Sequence, residues 1–122
     1  MRSVKRLLVG AVMMALPASL AAQKLTAGTW TGTVAPPDNN VIEASFIVRM
    51  AGDTTKITIK ADGREIDVTD VKIEPTRLLF NFSPSGNTIG CTLLLRDDKS
   101  YSGDCVDPQG GKGVITMRPP KP

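Results

Sequence analysis

Cys91 and Cys105 are the residues best equipped for chemistry in this chain. They stand fourteen positions apart, too far for a CxxC redox pair. The 122 residues contain no histidine, so two thiols lack the partners that a metal site needs. The same absence excludes Ser-His-Asp and Cys-His catalysis. A disulfide is the chemistry that remains. A general acid or base would have to be a carboxylate, a lysine or a tyrosine. No two carboxylates are placed by the sequence in an obvious shared site, so the chain reads as non-catalytic, with no cofactor and no metal. Asp97, Asp98, Asp104 and Asp107 are the nearest thing to an oxygen-ligand cluster. They lack EF-hand spacing, and acids in turns are usually solvated. Gly110-Gly111-Lys112-Gly113 has the look of a phosphate loop, but no helix follows to receive an anion, so it reads as a strand connection.

Charge narrows the function classes further. Arg2, Lys5 and Arg6 are three of the fifteen basic residues, and no acid lies near them. Residues 23–122 therefore carry twelve basic against twelve acidic side chains. Neutral charge removes the electrostatic case for nucleic acid, and an aromatic content of 4% is too low for a stacking groove. The basic start, the apolar run from Leu7 to Leu16, Pro17, and the small residues Ser19 and Ala21 form the pattern of an export signal covering residues 1–22. Ten apolar residues are too few to span a bilayer. Export to the periplasm or outside the cell is expected, where a Cys91–Cys105 bridge would persist.

The elements that must position these residues read as strands. Short alternating apolar runs recur between Gly, Pro, Asn and Asp clusters, and no helical period is sustained. Eight strands are expected: 28–34, 41–50, 55–61, 64–73, 77–83, 88–96, 101–106 and 113–118. Tight connections imply antiparallel neighbours, hence an all-β, single small up-and-down barrel over residues 23–118, followed by a disordered Pro-rich tail at 119–122. Asp62-Gly63 is a type I′ turn signal. A two-residue loop there pairs Ile59 with Ile66 on one face and Lys60 with Glu65 on the other, and a slip of one residue would destroy both matches. The apolar phase shifts after Val68, which predicts a bulge or bend near Thr69-Asp70. A Ser85-Gly86 loop pairs Phe82 with Ile89 and Phe80 with Cys91. A three-residue loop centred on Asp98 then sets Cys91 opposite Cys105, where a bridge stabilises by roughly 3 kcal/mol.

The inward residues are expected to be Trp30, Phe46, Val48, Met50, Ile57, Ile59, Ile66, Val68, Leu78, Phe80, Phe82, Ile89, Leu93, Leu95, Tyr101, Ile115 and Met117. They would fill a barrel with room for side chains or one small ligand. Gly28-Thr29-Trp30 on the first strand resembles the G-x-W motif of the calycin superfamily, which includes lipocalins and avidins. The resemblance implies a barrel closed at one end by Trp30, with a basic residue, Arg118 or Arg96, packed over it.

Two functions follow as expectations. The first is a non-catalytic interaction module or accessory subunit of another envelope protein, meeting its partner through outward Ile47, Leu79 and Leu94. The alternative, implied by the calycin resemblance, is a lipocalin-like carrier of a small apolar ligand. Its site would comprise Trp30, Phe46, Phe80, Phe82 and Tyr101, residues that serve equally as core.

Overall fold

The computed structural model describes residues 25–37 and 40–121. The expected export signal at 1–22 lies outside the described residues. Those described form strands only: β1 (Gly28–Ala35), β2 (Ile42–Ala51), β3 (Thr54–Ala61), β4 (Arg64–Asp67), β5 (Thr69–Ile73), β6 (Arg77–Phe82), β7 (Ile89–Leu95), β8 (Tyr101–Val106) and β9 (Lys112–Arg118). They make one antiparallel sheet in the order β4-β3-β2-β1-β9-β8-β7-β6-β5. The two ends of that order, β4 and β5, are adjacent in the chain, separated by Val68 alone. One bent segment therefore pairs with β3 through its first half and with β6 through its second. The Val68 N–H donates to the Ile57 carbonyl at 3.0 Å at the changeover. The sheet is a nearly closed barrel.

The expected single strand 64–73 is thus two strands, making nine among the described residues instead of eight. The cause is the predicted phase shift. Asp70 has a φ of 55°, and the β5–β6 register breaks between Thr69 and Lys72. Asn81 Nδ2 donates to the Asp70 carboxylate at 3.0 Å and holds the bulge. The other registers match the residue pattern. Ile59 faces Ile66, Lys60 faces Glu65, Phe80 faces Cys91, and Cys91 faces Cys105. Asp62 and Gly63 have φ of 53° and 73°, as a type I′ turn requires. Lys99, at 74°, ends a three-residue loop in the left-handed region.

The interior follows the alternation except at two strand ends. Met50 and Leu95, expected inside, are each 36% exposed, because both have the inward phase but sit past the last layer that the opposite wall covers. Glycines allow the close coiling. A Cβ on Gly32 would lie 1.7 Å from the Thr116 carbonyl oxygen, so β1 and β9 can cross there only without a side chain. Pro119 and Pro120, read from the sequence as the start of a disordered tail, are half-buried, and Pro120 sits against Gly28.

Candidate functional site

An up-and-down barrel sorts its residues by end as well as by face. One end collects the start of β1, the ends of β2 and β7, and the start of β8. Here Trp30 and Tyr101 meet with ring centroids 5.9 Å apart and planes tilted by 47°. The Trp30 indole N–H donates to the Thr26 carbonyl at 2.8 Å, which holds the chain leading into β1 across this end. Leu25 on that lead-in is buried, and Met117 fills the space beside Tyr101. Burial raises the Tyr101 phenol above its ordinary 10.0. This end is plugged. Of the two basic residues that the calycin resemblance set over Trp30, Arg118 stands opposite Thr31 with its side chain exposed, and Arg96 donates to Ser102 Oγ at 2.7 Å.

The opposite end collects the β3–β4 and β6–β7 turns and the β1–β2 and β8–β9 loops, and it is a mouth. A cavity of about 230 Å³ opens there. Its walls are Ile59, Ile66, Phe82, Ile89, Cys105 and Ile115, and Asp62, Arg64 and Asp107 border it. The rim is built by local hydrogen bonds. Asp107 Oδ1 accepts from the N–H groups of Gln109 (2.9 Å) and Gly111 (2.8 Å), and Gly110 has a φ of 87°. The glycine run at 110–113 is therefore a shaped β8–β9 connection. Gly111 lies so close to Pro37 that a Cβ would meet its ring at 3.2 Å, bringing two rim loops together. At the rim, over the seam between β4 and β6, the Arg64 guanidinium donates to the Pro84 carbonyl. The bridge between Cys91 and Cys105, S–S 2.05 Å, lies in the wall, and Cys105 borders the cavity.

The five aromatic residues proposed for a ligand divide along the barrel. Phe82 borders the mouth. Trp30 and Tyr101 are at the plugged end, and Phe46 and Phe80 are buried between the two ends. The outward apolar residues do not form one surface. Leu79 and Leu94 are on paired strands and Leu94 is exposed, but Ile47 is half-buried on β2, with β3 and the bent segment between them. Of the acids considered as metal ligands, Asp98 and Asp107 hold turns, and Asp104 stands within β8. Asp98 accepts from the Ser100 N–H and Oγ, and these bonds hold its carboxyl below the usual 3.8. No group of three potential ligands gathers among the described residues. Broader depressions of about 620 and 580 Å³ lie against β1–β3 and beside β3 and β5, but their lining is mostly polar, including Lys60, Glu43 and Asp53. Of these three, the mouth is the one that joins an apolar lining to enclosing walls.

Sequence reasoning did not assemble Arg64, Ile66, Ile89 and Gly111 into a site. The usable signal was the turns. In an up-and-down barrel, the Asp62-Gly63 and Ser85-Gly86 loops fall at one end, so the inward residues flanking both must meet.

No protein-family model matches the chain, and no curated protein matches it by sequence. Solved structures do resemble it in fold. The redesigned β-barrel mFAP1, bound to DFHBI, superposes with a TM-score of 0.62 at 17% identity, covering 76% of this chain and 94% of that one. A fluorescence-activating β-barrel designed de novo gives 0.61 at 18% identity over 83% and 99%. The redesigned barrel mFAP0, also bound to DFHBI, gives 0.58 at 17% over 79% and 100%. The shared property is a small β-barrel.

Proposed function

We propose that this protein is a non-catalytic binding protein that receives a small apolar molecule in the mouth of its barrel. The observation that carries the reading is the apolar cavity of about 230 Å³ at the end of the barrel opposite the Trp30–Tyr101 plug. It is somewhat larger than the roughly 150 Å³ apolar void that accepts benzene, and at or below the low end of the range for drug-sized ligands. A one- or two-ring molecule fits, or the apolar end of a longer one. That two of the similar barrels are bound to DFHBI supports the choice of class, since a barrel of this size can take a small ligand. The calycin resemblance points the same way. The disulfide favours an oxidising compartment, which agrees with export to the periplasm or beyond.

Protein purified from its native source, then extracted with organic solvent, should yield one apolar compound near equimolar ratio. An Ile89→Trp variant, which fills the mouth, should come out empty while keeping its fold. Extracts that are identical for both proteins contradict the reading.

The accessory-subunit reading remains as a second proposal. It is favoured by Leu94, Val106 and Val114, which are exposed on the outer face of β7–β9. Stoichiometric capture of an envelope protein that Leu94→Lys and Val106→Lys abolish, with Ile89→Trp still binding, would support it over the first.

A further inference from the structure

This inference rests on the mouth being a binding site, and it concerns the charge of what binds there. Three charged side chains border an otherwise apolar cavity: Asp62, Arg64 and Asp107. Asp107 has one carboxylate oxygen committed to two backbone N–H groups of its own loop. Asp62 occupies a tight turn with its backbone in the left-handed region. Among the described residues Arg64 is the one cation bordering the cavity and forms no ion pair, where Lys60–Glu65 and Arg77–Glu74 do. Its guanidinium instead bridges the seam between β4 and β6 to the neutral Pro84 carbonyl, twenty residues away. That contact engages one end of a planar group with five N–H donors and leaves others for a second acceptor. A fork held in place at the edge of an apolar cavity, with spare donors and no ion-pair partner among the described residues, suits a carboxylate presented in its plane.

We propose that the mouth selects anionic amphiphiles, with a ring-sized apolar body seated against Phe82, Ile66 and Ile89 and a carboxylate on Arg64. Pro84 is then a positioning residue, since its carbonyl fixes the guanidinium before the ligand arrives. The two rim acids work against this choice. They repel an anion and attract a cation, and the Arg64 charge, which borders both the cavity and the polar depression beside it, has to outweigh them.

Three probes of matched shape separate the outcomes: 2-naphthoate, 2-naphthylmethanol and 2-naphthylmethylamine. Calorimetric titration of the disulfide-bonded protein should show naphthoate binding roughly tenfold more tightly than the alcohol, the size expected of one charge-assisted hydrogen bond at a partly exposed rim. The amine should bind most weakly. Arg64→Gln should bring naphthoate level with the alcohol and leave the alcohol's affinity unchanged. Arg64→Lys should keep part of the preference, and Arg118→Gln, on the outer face, should change nothing. Near-UV circular dichroism confirms that each variant is folded. Equal affinity for naphthoate and alcohol overturns the anion preference and leaves the apolar mouth standing. Tightest binding of the amine also overturns it, in favour of the rim acids. If no probe binds, the mouth as a ligand site falls and this inference falls with it.

Discussion

The two ends of the barrel are built from the same alternation and have opposite fates. At the plugged end, the tilted rings of Trp30 and Tyr101 meet, Met117 fills the space beside them, and the lead-in to β1 is tied to them by the Trp30–Thr26 hydrogen bond. At the mouth the inward positions carry medium aliphatic residues and small ones such as Ala61, Gly113 and Cys105, and the loops fold around the opening instead of over it. Residue volume, and not hydrophobicity, separates them. Both ends are apolar, but at one Trp30 and Tyr101 pack against each other under a covering chain segment, while at the other Phe82 is the single aromatic ring among aliphatic and small residues. The difference teaches that a barrel this small can spend one end on stability and leave the other for binding.

Substitutions at the two ends should therefore differ in kind. The largest loss is expected from Trp30→Ala, about 4 kcal/mol, because it empties a sealed layer and orphans the Thr26 carbonyl. Urea unfolding monitored by circular dichroism measures it, and a loss below about 1 kcal/mol would show that this end is not a structural plug. Removing the bridge, as Cys91→Ala with Cys105→Ala, should cost about 3 kcal/mol by the chain-entropy account, since the loop it closes spans fourteen residues. Phe82→Ala comes next, at about 2 kcal/mol, because its site opens to solvent and water can fill part of the space. It should also enlarge the mouth and admit bulkier probes, which Trp30→Ala should not do. If Phe82→Ala costs as much as Trp30→Ala and alters no binding, the division into plug and mouth fails.

The smallest effect is in the pH response. Burial holds the Tyr101 phenol above its ordinary 10.0, so the folded state resists its ionisation. The sign follows by linkage: the contribution is complete below pH 10 and is lost as pH rises through the folded-state value. Unfolding free energies measured between pH 9 and 11 should fall, and Tyr101→Phe should flatten that fall. The mouth holds no buried phenol, so Phe82→Ala should leave the slope as it is.

Much of the architecture was legible because short turns fix register. Asp62-Gly63 and the three-residue loop around Asp98 each admit one pairing that keeps apolar residues on one face, and each pairing is the one found. The phase shift at Val68 announced the bend, but not that the segment changes partners there, because partner choice depends on closure of the whole sheet. Met50 and Leu95 show the limit of alternation, which gives the face of a residue and not the depth of the wall opposite. The aromatic residues drew the site toward themselves in the sequence reading. In the fold most of them are bulk, and the cavity lies where bulk is missing, so its position is set by glycines, loop ends and Arg64. Those features become a site only when strand ends are sorted by barrel end.

The most direct test of the plug-and-mouth account is amide chemical-shift mapping during titration with naphthalene, a neutral probe indifferent to rim charge. The account predicts shifts grouped at Ile66, Phe82, Ile89, Gly111 and Ile115, with the Trp30 indole and Tyr101 amide signals unmoved. Shifts centred on Trp30 and Tyr101, or none at the mouth under saturating probe, would contradict it.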